Sequence, residues 1–168
     1  MNAILDVHYR GANASVACVQ FAGWDDAEPS RVRVSAVSTP SDFVPGRFFE
    51  RELPCLLHAL ALEAERFEAI VVDGYGHLDT PSGKGLGAHL ADAVPYPVAV
   101  VGVAKTPFRL AARFVPVFRG RSRRPLFVSS VNRADEAAAA LVLVEKMHGD
   151  FRIPTLLKLA DRLSRGAG

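Results

Sequence analysis

Asp6, Glu52 and Asp73 occupy suggestive places, and a carboxylate inside a buried strand is costly unless it is paired or coordinates a cation. Asp6 interrupts an otherwise apolar first strand, Ile4-Leu5-Asp6-Val7. Glu52 lies on an apolar-periodic helix, in Phe48-Phe49-Glu50-Arg51-Glu52-Leu53-Pro54. Asp73 ends the continuous apolar run Ala69-Ile70-Val71-Val72 and is followed by Gly74. Three carboxylates converging at one sheet edge would bind Mg²⁺ through oxygen, leaving positions for water and phosphate oxygens. Such a site suits metal-assisted phosphodiester hydrolysis. Each acid also has an ordinary reading: Asp6 paired with an arginine, Glu52 solvated, and Asp73 a turn former before glycine.

Other chemistries are poorly supported. The five histidines (His8, His58, His77, His89 and His148) show no HExxH spacing. Ser82-Gly83-Lys84-Gly85-Leu86-Gly87 is glycine-rich but lacks the order of a phosphate-cradling P-loop. There is no GxSxG nucleophile elbow. Cys18 and Cys55 sit in apolar surroundings without a CxxC, which argues against a disulfide framework or a zinc site and for a reducing compartment.

Charge is segregated along the chain. Residues 105–133 hold Lys105, Arg109, Arg113, Arg119, Arg121, Arg123, Arg124 and Arg133 and no acid, whereas residues 1–104 hold 7 basic and 13 acidic residues. The net charge of +2 is therefore the remainder of an acidic half set against a basic segment able to attract phosphate. The alternative is a solvated loop with scattered arginines.

These side chains need a scaffold, and the hydrophobic periodicity supplies one. Ile4–Tyr9, Ser15–Phe21 and Arg31–Val37 read as three antiparallel strands. A helix is expected over Arg47–Phe67, where Phe48, Leu53, Leu56, Leu57, Leu60 and Leu62 recur at helical spacing. Ala69–Asp73 and Pro97–Ala104 read as buried strands, the second delivering Lys105. A short helix is expected over Gly87–Ala93, and paired strands over Val115–Phe118 and Leu126–Ser129. Closing helices are expected over Ala134–Met147 and Thr155–Ser164.

No repeat or linker divides the chain, so residues 1–168 are expected to form one α/β domain with a mixed sheet. With 49% hydrophobic residues, the chain can bury a core without staples, which excludes disorder. The N-terminus carries no signal-like segment and no apolar run is long enough to span a bilayer, so a cytoplasmic protein without membrane contact is expected.

The motifs resemble the endonuclease V family. They are Asp6-Val7-His8-Tyr9, Phe43-Val44-Pro45-Gly46, Phe48–Pro54, Val71–Gly76, Gly87-Ala88-His89-Leu90, Gly102–Thr106, Arg119-Gly120, Arg124–Ser129 and Ile153-Pro154-Thr155. The resemblance implies a ribonuclease H-like mixed β-sheet flanked by helices. It implies a Mg²⁺-dependent endonuclease, with Mn²⁺ the expected substitute, that cuts on the 3′ side of inosine in DNA or RNA. By motif, Asp6, Glu52 and Asp73 would be metal ligands and Lys105 would sit beside the scissile phosphate. Phe43, Val44, Pro45 and Gly46 would form a wedge that fills the space left by the lesion base. Gly74 and Gly76 would admit the flipped-out base, and Arg119 would contact the strand.

Several positions depart from the family pattern. Phe43 replaces a tyrosine, Asp79 falls in an altered loop, and Asn132 stands where a histidine is common, with Asp135 as a candidate substitute. The chain also starts almost at the first catalytic strand, without the N-terminal helical segment of longer family members. Two further readings stay open. One is a nucleic-acid-binding module of the same fold with little or no turnover; the other is a nuclease for a different lesion or for junctions.

Overall fold

The computed structural model describes residues 1–38, 48–132 and 136–166. Three strands come first: β1 (Asn2–Arg10), β2 (Asn13–Phe21) and β3 (Arg31–Ser38). They form the expected antiparallel meander, closed at its first turn by Gly11 in the left-handed region. Helix α1 (Phe48–Ala61) leads to β4 (Ala69–Val72), which pairs parallel with β1.

A loop carrying the two-residue strand β5 (His77–Leu78) precedes α2 (Leu86–Ala93) and β6 (Ala99–Ala104), the latter parallel to β4. The two-residue strand β7 (Ala111–Ala112) pairs with β5 as a small ribbon. Strands β8 (Phe114–Val117) and β9 (Leu126–Val131) form the expected hairpin around the arginine-rich turn. Helices α3 (Glu136–Lys146) and α4 (Thr155–Ser164) close the described chain.

The main sheet has seven strands in the order β3-β2-β1-β4-β6-β9-β8. This is the ribonuclease H-like mixed sheet with helices on both faces. Alternation along the strands divides the core in two. Leu5, Val72 and Val100 face α1 and α2 together with Cys55, Leu56 and Leu90. Ile4, Val71, Val101 and Val103 face α3 and α4 together with Ala140, Val144, Leu156 and Leu157. Both cysteines are free and buried. No helix among the described residues is long and apolar enough to cross a membrane.

Helix α1 stops earlier than its periodicity predicts. Beyond Leu62 the chain reads Glu63-Ala64-Glu65-Arg66, with no large apolar residue to hold a further turn on the sheet. Glu63 is instead drawn to the sheet edge, where its carboxylate accepts from Gln20 Nε2 and Arg33 Nε, both at 2.7 Å. The β5–β7 ribbon carries no sequence signal, because two residues are too few for a period.

Arg119 departs from its expected role. It is 7% exposed, and its guanidinium donates to the carbonyls of Met147, Gly149 and Phe151. Three of its five N–H donors thus fasten the α3–α4 connection to the β8–β9 turn, in a buried position rather than on an open strand-facing surface. Arg119→Met should cost about 2–4 kcal/mol in denaturant unfolding, because three carbonyls lose their partner. The salt dependence of oligonucleotide binding should not change.

Candidate active site

Strand register brings the acids together. Leu5 lies opposite Val72, and Val72 opposite Gly102, in the parallel β1-β4-β6 triplet. The next residues, Asp6 and Asp73, therefore reach the same edge on strands about 4.8 Å apart. Lys105 follows the last residue of β6. Counting two residues on from Ile4, Val71 and Val103 gives Asp6, Asp73 and Lys105, so these three share the α4 face.

Glu52 arrives from the opposite layer. It precedes Cys55, Leu56 and Ala59 by three, four and seven residues, so it falls on the buried stripe of α1 and is 5% exposed. The helix that packs Leu56 against the sheet thereby carries a carboxylate into the apolar layer.

A fourth acid, Asp161, belongs to the cluster and was not singled out from sequence. It follows Leu157 by four residues on α4, so it extends that helix's buried stripe to the sheet edge. An acid on the apolar stripe of an amphipathic helix was the available signal. Lys105 Nζ lies 2.6 Å from Asp73 Oδ2 and 3.7 Å from Asp161 Oδ1. Ser164, three residues beyond Asp161, donates its hydroxyl to Asp6 Oδ2, so Asp6 has a serine partner rather than an arginine. Arg165 holds the outer side of Asp161.

The electrostatics follow from this crowding. Burial, then the neighbouring carboxylates of Asp73 and Asp6, push the Glu52 pKa well above the ordinary carboxylate range. Burial also raises Asp6, although the Ser164 hydrogen bond and the Lys105 charge oppose it. Asp161 is lowered, chiefly by its hydrogen bond from Arg165. Burial would depress the Lys105 ammonium, but Asp73, Asp6 and Asp161 outweigh it and hold the pKa above its usual value.

The donor set is all oxygen, which is the preference of a hard divalent cation. One oxygen of the buried Glu52, Oε2, has no hydrogen-bond partner in the structure. An orphaned carboxylate oxygen beside two further carboxylates is what a cation site requires. As placed, no three His, Cys, Asp or Glu groups among the described residues stand close enough to share an ion. The Lys105 ammonium and the Ser164 hydroxyl occupy oxygens of Asp73 and Asp6.

Two cavities meet at this edge. The polar cleft, about 530 Å³, contains Asp6, Asp73, Lys105 and Asp161. The apolar one, about 360 Å³, is walled by Phe49, Leu78, Leu86 and Leu110. Phe48, Gly74, Tyr75 and Phe108 line both. Tyr75 Oη donates to the Thr106 carbonyl at 2.8 Å, tying the pocket wall to the segment after Lys105.

Gly74 lines both cavities, whereas Gly76 lines neither. Gly76 lies behind the wall: its N–H donates to Ser129 Oγ at 2.7 Å, and its carbonyl accepts from the N–H groups of Gly85 and Ala88. Its place is in the support of the loop. Asn132 has φ +63° and reaches the Val98 carbonyl, away from the acids. Phe43, Val44, Pro45 and Gly46, expected to form the wedge, lie outside the described residues, as does Asp135.

Comparison with known proteins points to one family. The family model described as Endonuclease V matches residues 2–116. An endonuclease V of Thermococcus kodakarensis is 31% identical over 162 residues, covering 96% of this chain and 76% of the relative. One of Xanthomonas axonopodis pv. citri is 30% identical over 161 residues; the match covers 83% of this chain but only 65% of that relative's length. A structure of Ciona intestinalis endonuclease V, in complex with a 24mer DNA containing an inosine followed by a ribo-adenosine, superposes with a TM-score of 0.80. The match is 18% identical and covers 98% of this chain and 84% of that one.

Proposed function

The chain belongs to the endonuclease V family, and from that premise we propose that it is a Mg²⁺-dependent endonuclease cutting nucleic acid on the 3′ side of inosine. The observation that carries the reading is the gathering of Asp6, Asp73, Asp161 and Lys105 in one cleft beside an apolar pocket, with the buried Glu52 carboxylate coupled electrostatically to Asp6 and Asp73. The Ciona relative, crystallised with inosine-containing DNA, supports the choice of substrate.

Asp6, Glu52 and Asp73 would hold the cation, with Asp161 at the rim. Bound there, a divalent cation supplies positive charge to the phosphate oxygens as their charge grows. Mn²⁺, with similar oxygen preference, is the expected substitute. Lys105, which holds Asp73 in this structure, would offer its ammonium to the scissile phosphate. Burial of Glu52 keeps bulk water from competing for the cation.

The apolar pocket takes the flipped-out base. Phe48, Tyr75 and Phe108 offer ring faces, and Gly74 leaves the backbone of the wall accessible where the two cavities join. Phe43–Gly46 would fill the gap left in the strand.

The test is a labelled strand carrying one inosine, presented as DNA and as RNA with Mg²⁺. The protein should nick at the second phosphodiester bond 3′ to inosine and leave an adenine control intact. Asp73→Asn should lower cleavage about 10³-fold or more while retaining strand binding. Absence of any nick at high enzyme concentration, or equal cutting of the control, overturns the proposal.

A further inference from the structure

A second cleft, about 600 Å³, opens between the β8–β9 turn and the segment leading into α4. Arg121 and Ser122 form one wall, and Asp150, Phe151, Arg152 and Lys158 the other. Three cations face a single acid. Arg123 and Arg124 continue the exposed basic turn.

The aromatic in this cleft is unusually open. Phe151 is 68% exposed, and Lys158 Nζ stands 4.2 Å from its ring centroid. Phe118, at the start of the same turn, is 60% exposed. An apolar ring left in water gains nothing from burial, yet the backbone that presents Phe151 is firmly held. Arg119 donates to the Phe151 carbonyl and to two carbonyls just before it. Gly120, at φ +59°, lets the turn press so closely on this segment that a Cβ would stand 2.2 Å from the Asp150 carbonyl oxygen. Beyond Phe151, Arg152 donates to the carbonyls of Pro125 and Lys105.

Arg152 also joins the cleft to the catalytic edge. It lines the cleft, and its guanidinium fixes the backbone of the lysine whose ammonium meets Asp73. Lys158 precedes Asp161 by three residues on α4, a separation of about 4.5 Å along the helix. The cleft therefore begins within a few nucleotides' reach of the phosphate that would be cut.

We propose that this cleft is a second binding site for the nucleic-acid strand, in which a base stacks on Phe151 while phosphates meet Lys158 and Arg121. A rigidly held aromatic face flanked by cations is the platform that single-stranded nucleic acid uses without sequence preference. An acidic peptide would satisfy the cations but has no flat ring to place on Phe151. The inference rests on the proposed nuclease function for its ligand, but its test reads binding rather than cleavage.

Phe151→Ala/Lys158→Ala replaces two exposed side chains outside the catalytic cluster and should keep the wild-type melting temperature. Fluorescence anisotropy with a long labelled oligonucleotide should show binding weakened about 20-fold or more, with the salt slope reduced by about one. A short oligonucleotide trimmed to the bases around the inosine should bind wild type and variant alike. Phe151→Tyr should restore affinity, because the ring face is kept.

Equal affinity of the folded double variant and wild type for the long strand overturns the proposal. So does competition by polyglutamate as strong as by an oligonucleotide of equal charge, since the cleft would then read charge alone. Should the wild type bind the long strand through this cleft yet never cut inosine, the catalytic reading fails and the second site stands.

Discussion

Glu52→Gln should lower strand cleavage about 10³-fold and, in metal-free buffer, raise the melting temperature at pH 8. Both effects come from one placement. Glu52 is 5% exposed, its Oε2 has no hydrogen-bond partner, and the carboxylates of Asp73 and Asp6 stand near it. Its pKa is raised first by burial and then by those neighbours.

The direction of the pH effect follows. A raised pKa in the folded protein means the native state keeps a proton that the unfolded chain has already lost. Below about pH 4.3, both states are protonated and Glu52 costs nothing. As pH climbs from there towards the folded-state pKa, each unit costs about 1.4 kcal/mol, and above that pKa the cost stays constant. Glutamine removes this cost. The variant should therefore gain roughly 3–8 °C over wild type at pH 8 and almost nothing at pH 4. Cleavage should fall about 10³-fold, because a neutral amide holds a cation poorly. Added Mg²⁺ should stabilise the wild type and not the variant. A stability gap that does not widen between pH 4 and pH 8 would refute this account of Glu52, as would retained activity.

This tension explains which parts of the site were legible in the sequence. Asp6 and Asp73 were visible because an acid inside or at the end of a buried strand breaks a period-2 or continuous apolar pattern. The parallel register then carries both to one edge with no further information needed. Glu52 was less legible, since any acid on a long amphipathic helix can be a solvated one. Asp161 escaped because Asp161-Arg162 reads as an ordinary charged pair, although the spacing from Leu157 placed it inward.

Arg119 and Gly76 were misread for a shared reason. Both lie in segments whose composition suggests a ligand: a run of arginines, and a glycine-rich loop. What decides their role is long-range packing, which brings Met147–Phe151 to Arg119 and Ser129 to Gly76. Local patterns hold no trace of a partner roughly 30–50 residues away. The strands and helices were legible for the opposite reason, since α4 is amphipathic enough to be bounded at Thr155 and Ser164 from its own residues.

Gly102→Ala should be strongly damaging for a single added methyl, although Gly102 touches no reacting group. It lies in β6 between Val72 of β4 and Ser129 of β9, and it faces the α1–α2 layer. A Cβ there would stand 2.5 Å from the Gly74 carbonyl oxygen, 2.7 Å from Ser129 Oγ and 3.0 Å from Gly76 N. Two of these are backbone atoms of the loop that walls the apolar pocket, and the third is the hydroxyl that anchors it. The central strand cannot retreat, because both its neighbours are paired along its length. The loop must move instead, and it moves by giving up the Gly76–Ser129 hydrogen bond. Overpacking of this kind costs about 1–3 kcal/mol, and the lost bond adds about 1 kcal/mol. Because Gly74 is shared by the pocket and the catalytic cleft, a displacement near 1 Å should also cost cleavage about 10²-fold. Ser129→Ala, which removes the anchor without the clash, should cost the hydrogen bond but only a small part of the activity. A doubly substituted Gly102→Ala/Ser129→Ala protein should regain little, since the Gly74 carbonyl remains in the way. Chemical denaturation and single-turnover cleavage of the three proteins give the ranking, and a fully stable, fully active Gly102→Ala protein would show that the loop is not held from below.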